Sequence, residues 1–241
     1  MDIQKIINKQ VTQNYSDTSP WPEVDEWHNQ TYHNIFKFVT QKLNKYSRDI
    51  SIILNAGSGG TVYPYVGKMI HLDIVDTHIK NYPNYIVSSV EEIPMQNESV
   101  DIIICVGSVI NYADYQKTIK ELSRILKPNG ILILEFERSN SGEFLFTKKH
   151  NELIFHQTYY YNNQQHVLWL YNERNIQKTM KIHNLKIIQK HRFHIISSLL
   201  NRFGMSEKKA SKYSMFDFIF APISYYLAHN CILVSKKISK I

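Results

Sequence analysis

A glycine-rich turn comes directly after the first strongly apolar run of the chain. The run Ile52-Ile53-Leu54 leads through Asn55 into Ala56-Gly57-Ser58-Gly59-Gly60. Glycine lets the main chain approach a ligand closely, and a helix N-terminus after such a turn offers free N–H groups. Asp73 ends a second apolar run beyond the turn. A carboxylate at that place accepts hydrogen bonds from ribose hydroxyls in nucleotide-binding folds, so the two features together predict a nucleotide-type site.

Two kinds of chemistry are disfavoured by the residue pattern. NAD-binding domains carry three glycines spaced G-x-G-x-x-G, whereas Val62 stands at the third position here. A bound metal is not expected either, because the histidines are scattered. Cys105 and Cys231 lie too far apart in the expected sheet to share a zinc ion.

The elements that must position these residues alternate between strands and helices. After a turn marked by Pro20 and Pro22, apolar side chains at helical spacing predict a helix: Trp27, Thr31, Ile35, Phe36, Val39 and Leu43. Apolar runs predict strands at 50–55, 69–73, 84–88, 100–106 and 131–136, with an amphipathic helix at 115–126. Strands separated by helices in this way indicate βαβ units, a parallel sheet and an α/β fold.

The pattern changes after Arg138. Two alternating runs at 153–160 and 165–171 predict a β-hairpin that turns at Asn162-Asn163. A helix at 173–183 and strands at 186–194 and 230–236 follow, and a basic, amphipathic stretch at 195–227 is expected to form two helices. We therefore predict an N-terminal helical cap over 1–48 and an α/β domain over 49–241, with an inserted hairpin at about 150–171 and a helical lid at about 195–227.

Two further motifs indicate a family. Ser-Val-Glu-Glu-Ile-Pro at 89–94 precedes Val-Asp-Ile-Ile-Ile at 100–104, and Glu-Leu-Ser-Arg-Ile-Leu-Lys-Pro-Asn-Gly at 121–130 leads into the apolar run 131–134. In order and spacing, residues 50–137 resemble the class I S-adenosylmethionine-dependent methyltransferases, especially the "methyltransferase domain 11"-like group. The resemblance implies a doubly wound, mostly parallel, seven-stranded Rossmann-like sheet. It implies S-adenosylmethionine as cofactor and S-adenosylhomocysteine as product.

The resemblance also implies which residues bind the cofactor. Asn55 to Gly59 would hold its methionyl part, and Asp73 with Ile74 would hold the ribose and adenine. Ser89 and Val90 would border the adenine edge. The residues after the fourth strand would face the transferable methyl group; they are Val106, Gly107 and Ser108. The chain departs from the family pattern in having Asn55 and Ser89 where the family has acids.

The sequence identifies only weak candidates for a catalytic base. His156, His166 and Tyr160 lie on the predicted hairpin, which would overhang the site. Aromatic residues of the N-terminal segment are candidates to cover the cofactor, since an aromatic face near a sulfonium is electrostatically favourable; they are Tyr15, Trp21 and Trp27. Core packing of the N-terminal helix is the alternative role for Trp27.

The positive charge of the chain is concentrated in its C-terminal part. The net charge of +7 divides into −3 over residues 1–140, from 13 Lys+Arg and 16 Asp+Glu, and +10 over 141–241, from 15 and 5. This excess indicates either an anionic partner, such as a phosphorylated small molecule, a lipid head group or RNA, or a solvated lysine-rich surface. The stretch 195–227 mixes Phe, Leu and Met with Lys, which suits a lid or a helix at a membrane surface.

The sequence predicts a cytoplasmic protein. Its first residues do not form a signal peptide, and the most apolar segment, 215–234, contains Asp217, Pro222, His229 and Asn230 and is a poor membrane span. Two cysteines in apolar runs are expected to be reduced, buried and on non-adjacent strands.

The function predicted from these features is methyl transfer to a small-molecule acceptor, of a phosphorylated, glycan-linked or lipid-linked kind. An RNA or protein methyltransferase, and a cofactor-binding protein without catalysis, are the alternatives. The sequence does not identify the acceptor atom, and the oligomeric state is unknown.

Overall fold

A computed structural model describes residues 3–16, 26–161 and 164–239. Seven helices lie in these ranges: α1 (Ile3–Ser16), α2 (Glu26–Tyr46), α3 (Tyr115–Ile125), α4 (Glu173–Ile182), α5 (Ile195–Arg202), α6 (Glu207–Ala210) and α7 (Ser224–Leu227). The strands are β1 (Ile52–Ala56), β2 (Lys68–Asp73), β3 (Tyr85–Val87), β4 (Val100–Cys105), β5 (Leu126–Glu137), β6 (Ile154–Tyr161), β7 (Gln164–Tyr171), β8 (Leu185–Phe193) and β9 (Asn230–Lys237). The proposed turns at Pro20 and Pro22 and at Asn162-Asn163, and also Trp21, lie outside the described residues.

Seven strands form one sheet in the order β3-β2-β1-β4-β5-β9-β8. The first five are parallel, whereas β9 runs antiparallel to both β5 and β8. The strand order reverses between β1 and β4, which pair at Ile53 and Ile102. This arrangement confirms the predicted doubly wound, mostly parallel, seven-stranded sheet. Ligands bind such sheets at the carboxyl ends of the strands, near the point where the order reverses.

Helices cover both faces of the sheet. On one face, α3 and α4 bury apolar side chains such as Ile119, Leu122 and Ile176 against the central strands. On the other face, α2 packs Ile35 and Val39 against the opposite side of the same strands. Because both faces are covered, the central strands are continuous apolar runs, as the sequence indicates.

The helix expected after the glycine-rich turn is absent, and that prediction was wrong. Residues 57–67 are all described, and they form turns and irregular chain between β1 and β2. Four glycines and Pro64 in this short segment disfavour a helix. The free N–H groups at this turn therefore come from the turn itself.

The predicted hairpin forms from β6 and β7 as a separate two-stranded sheet. The stretch 195–227 contains α5, α6, a 3₁₀ segment Ser211–Ile223 and α7, so the expectation of two helices was too simple. Among the described residues, no helix is long and apolar enough to cross a membrane.

The two cysteines are buried, free thiols. Cys105 lies on β4 and Cys231 on β9, and β5 separates these strands in the sheet. The predicted reduced, non-adjacent cysteines are therefore confirmed.

Candidate active site

Two joined cavities lie at the carboxyl ends of β1, β2, β4 and β5. The large cleft encloses about 1160 Å³ and the small chamber about 540 Å³, both counted with their open mouths. Four residues line both cavities, so the cavities meet at a shared wall: Trp27, His28, Tyr112 and Glu137.

The large cleft brings together most of the residues that the sequence marks for the cofactor. Its lining includes eight of the twelve: Gly57, Gly59, Asp73, Ile74, Ser89, Val90, Gly107 and Ser108. The other four lie behind this lining. Ala56 and Val106 are buried in the two hydrophobic cores. The amide of Asn55 donates to Ser58 Oγ and to the Thr61 carbonyl, while Ser58 Oγ lies 2.7 Å from Nδ1 of His71.

Asp73 is fixed at the mouth of the glycine turn by main-chain hydrogen bonds. Its Oδ2 accepts from the N–H of Gly59 at 2.8 Å, and its Oδ1 accepts from the N–H of Val75 at 3.0 Å. Burial raises the pKa of the Asp73 carboxyl, and these two hydrogen bonds act in the opposite direction. A carboxylate has about four acceptor positions, so Asp73 can accept further hydrogen bonds from a ligand.

Glycine is required at position 57 by both conformation and space. Its φ is +69°, and a Cβ there would lie 2.2 Å from Cγ2 of Val109. Glycine adopts positive φ without the steric penalty that other residues suffer. The turn therefore leaves the main chain open to the cleft, where a ligand can lie directly against it.

The N-terminal helices form the outer wall of the large cleft. Tyr15, near the end of α1, accepts a hydrogen bond at its carbonyl from Nε2 of His78, 2.6 Å away, beyond β2. Trp27, at the start of α2, stacks on His194 with ring centroids 4.2 Å apart. Both aromatic residues line the cleft, as expected for groups that cover a bound ligand. In contrast, the opposite end of α2 is part of the core.

Glu135, on β5, is a buried acid that the sequence analysis missed. Its Oε2 accepts from the N–H groups of Gly107 and Ser108, and its Oε1 accepts from the amide of Asn230. Burial raises the pKa of Glu135 to about 7, although these hydrogen bonds favour the charged form. Glu135 thus holds the loop after β4 in position against the cleft.

A second missed group is an array of Glu137, His229 and Glu143. Nε2 of His229 lies 3.2 Å from Glu137, and its Nδ1 lies 3.2 Å from Glu143. Burial lowers the pKa of His229, but the two carboxylates outweigh that effect and raise it to about 10. Ser108 Oγ and Tyr159 OH donate to Glu137 and Glu143 respectively. All three members of the array line the small chamber.

The three candidate bases occupy different positions. His166 and Tyr160 line the small chamber, whereas His156 is exposed on the hairpin and lines neither cavity. Burial lowers the pKa of His166 to about 4, so its imidazole is neutral at ordinary pH. The alternation Glu135-Phe136-Glu137 at the end of an apolar strand is a sequence signal that could have indicated the missed acids at this edge.

An Arg–Glu cluster anchors the inserted stretch 195–227 to the sheet. Arg138 is fully buried, lies 3.2 Å from Glu173, and donates to the carbonyls of Ser224, Tyr225 and Ala228. Through these contacts the insertion reaches the small chamber, where Asn201 and Glu207 contribute to the lining.

Comparisons with known proteins agree with this geometry. Residues 55–134 match the model of a family described as methyltransferase domain. An uncharacterized methyltransferase of Schizosaccharomyces pombe is 31% identical over 133 residues, which are 50% of this chain and 47% of that protein. A ubiquinone/menaquinone biosynthesis C-methyltransferase of Campylobacter jejuni is 30% identical over 27% of this chain and 29% of its own length. The matches therefore span about half, or less, of these relatives.

A solved structure extends the likeness to nearly the whole chain. It is a Burkholderia thailandensis 1,6-didemethyltoxoflavin-N1-methyltransferase with bound 1,6-didemethyltoxoflavin and S-adenosylhomocysteine. Its TM-score is 0.57 at 10% identity, over 98% of this chain and 88% of that chain, so the likeness is one of fold. The family match over residues 55–134 and the fold together support a class I S-adenosylmethionine-dependent methyltransferase domain in this chain. S-adenosylmethionine is the cofactor of this class.

Proposed function

We propose that the chain transfers a methyl group from S-adenosylmethionine to a small-molecule acceptor held in the small chamber. The observation that carries the proposal is the shared wall of the two cavities. Trp27, Tyr112 and Glu137 face both the large cleft and the small chamber. A cofactor in one and an acceptor in the other would therefore lie next to each other.

The residues of the large cleft suit the cofactor chemically. Asp73 would accept hydrogen bonds from the ribose hydroxyls, and Ser89 with Val90 would border the adenine. The buried Oδ1 of Asn230 has no hydrogen-bond partner among the described residues and lies at the cleft wall, where it would accept from the methionyl ammonium. When bound, the cofactor supplies a methyl group on a sulfonium. The turn at Gly57 and the loop at Gly107 would fix its position.

The small chamber would orient the acceptor and exclude water. The hairpin contributes Tyr159 and His166, and the insertion contributes Asn201 and Glu207. Holding two reactants in line contributes up to about 7–11 kcal/mol to such a reaction.

The test is a transfer assay with S-adenosylmethionine labelled in its methyl group. We expect label to appear in a fraction of small metabolites, and to fall strongly when Gly57→Val fills the turn. Asp49→Asn, exposed and outside both cavities, is the matched control and should leave transfer unchanged. Label found only in RNA or protein would contradict the small-molecule acceptor, and label in no fraction would contradict methyl transfer.

A further inference from the structure

The small chamber has an excess of negative charge. The carboxylates of Glu137 and Glu143 line it, and His229, which lies between them, has a pKa raised far enough to carry a positive charge at neutral pH. Among the described residues, no lysine or arginine lines either cavity. The imbalance matters because the side chains of Glu137 and Glu143 are only 17% and 19% exposed, and an uncompensated buried charge is unfavourable.

His229 cannot bind an anionic acceptor. Both of its ring nitrogens already face carboxylates, one in Glu137 and one in Glu143, each 3.2 Å away. The array of two acids and one imidazolium therefore keeps one net negative charge, with no N–H left to donate to a ligand. The carboxylate of Glu137 retains acceptor positions, since it receives hydrogen bonds only from His229 and Ser108 in the described contacts.

Aromatic rings form much of the remaining wall. Trp27 and Tyr112 lie on the side shared with the large cleft, and Tyr159 and Tyr160 lie on the hairpin. The face of an aromatic ring attracts a cation. Carboxylates and aromatic rings around one chamber are the chemistry that recognises an organic cation.

We infer that the acceptor is an amine that enters the small chamber in its protonated form, with the carboxylate of Glu137 as its counter-ion. This inference rests on the proposed function. A methyl acceptor needs a lone pair, so the ammonium must release a proton. The N–H bond would break with its electron pair left on nitrogen, and the proton would pass to water at the open mouth of the chamber. That electron pair would then form the N–CH3 bond while the S–CH3 bond breaks, with its electron pair left on sulfur. Glu137, which stays ionised beside His229, is placed to hold the ammonium next to the cofactor because it faces both cavities.

The basic residues of the C-terminal part do not contradict this. Lys208, Lys209 and Lys212 of the insertion are exposed and line neither cavity. These three positive charges of the insertion are therefore on the outer surface. An anionic acceptor, which this charge suggested, finds no cationic side chain in the small chamber that is not already paired.

The test compares ligands that differ in charge and share a ring. Tyramine, 4-ethylphenol and 3-(4-hydroxyphenyl)propanoate form one set, and tryptamine, 3-ethylindole and indole-3-propanoate form a second. Binding is measured by calorimetry near neutral pH with S-adenosylhomocysteine present at saturation. We expect the cation to bind at least about tenfold more tightly than its neutral counterpart in one set or both, and the anion to bind most weakly.

Two variants connect this preference to the array. Glu137→Gln should remove most of the cation preference while changing the affinity of the neutral ligand less than about twofold. Glu143→Gln, which lines the small chamber but not the large cleft, should reduce the preference without changing S-adenosylhomocysteine affinity. Glu152→Gln, exposed and outside both cavities, is the control and should change neither.

Either of two results would overturn the inference. One is a neutral or anionic ligand that binds as tightly as the cation in both sets, or binding by no cation at all. The other is a cation preference that survives both glutamine variants. S-adenosylhomocysteine that fails to bind would instead remove the proposed function, so the two failures are distinguishable.

Discussion

Oε2 of Glu135 accepts a hydrogen bond from the main-chain N–H of Gly107 at 2.9 Å. Glu135 lies on β5 and Gly107 lies in the loop after the neighbouring strand β4. The contact lies directly behind the large cleft. The side chain of Glu135 on β5 therefore determines the position of the loop that follows β4. A fully buried carboxyl group in this role makes the fold sensitive to pH.

We predict that the stability of the protein falls between about pH 4.5 and pH 7 because of Glu135. The folded-state pKa, about 7, is above the ordinary value of 4.5, so the folded protein binds this proton more tightly. The contribution of the protonated Glu135 carboxyl to the free energy of unfolding, roughly 3 kcal/mol, is lost as pH rises through that window. Urea denaturation at several pH values measures the effect, and Glu135→Gln should remove it. If the free energy of unfolding depends on pH equally in Glu135→Gln and in the exposed-site control Glu152→Gln, the assignment to Glu135 is contradicted.

We predict that His229 stays protonated well above neutral pH. Its pKa is raised to about 10 by two carboxylates, so the stability it contributes is present below 6.5 and lost as pH rises toward 10. Nitrogen NMR of the ring measures its protonation directly, and Glu143→Gln should lower its pKa. An imidazole that is neutral at pH 7 in the unmodified protein would show that the array is not ionised as described.

The anchor of the insertion should be sensitive to loss of Glu173. This buried acid pairs with Arg138 at 3.2 Å and with Arg192 at 2.6 Å. Removing it leaves the buried Arg138 without its partner, so Glu173→Gln should destabilise the protein by about 3–5 kcal/mol. Thermal and urea unfolding measure this, with the exposed Glu92→Gln as control. A loss no larger than that of the control would mean that the cluster contributes little.

Both cysteines should be unreactive in the folded protein. Cys105 and Cys231 are fully buried, and burial raises the pKa of the Cys105 thiol to about 12. Since the thiolate is the reactive form, a disulfide-exchange reagent should modify both only after denaturation. Fast modification in buffer, or a mapped Cys105–Cys231 disulfide, is the outcome that would contradict the strand order.

The sheet was predictable because its signals are local. Apolar runs of strand length and the acid Asp73 each act within a few residues, and the strand positions agree with prediction to within a few residues. The large cleft was predictable for the same reason. The strands that lead into Gly57, Asp73 and Gly107 are parallel, so these residues must meet at one edge of the sheet.

The small chamber was not predictable because its residues come together only through the fold. Glu137 ends β5, Glu143 lies in the loop after β5, and His229 directly precedes β9. Nothing in their spacing along the sequence indicates contact. Helix α1 was missed as well, because Ile7 is its only buried residue and its apolar pattern is weak. The helix expected after the glycine-rich turn is absent because four glycines and Pro64 within residues 57–67 disfavour it.

Binding of S-adenosylhomocysteine to the purified protein, followed by calorimetry, tests whether the large cleft is the cofactor site. We expect a one-to-one complex with the unmodified chain. Asp73→Asn should weaken binding by about tenfold to a hundredfold, because two hydroxyls lose a charged acceptor. The exposed Asp76→Asn should bind as the unmodified protein does. Absence of binding at millimolar ligand, or equal affinity in Asp73→Asn and Asp76→Asn, would contradict the cofactor site described above.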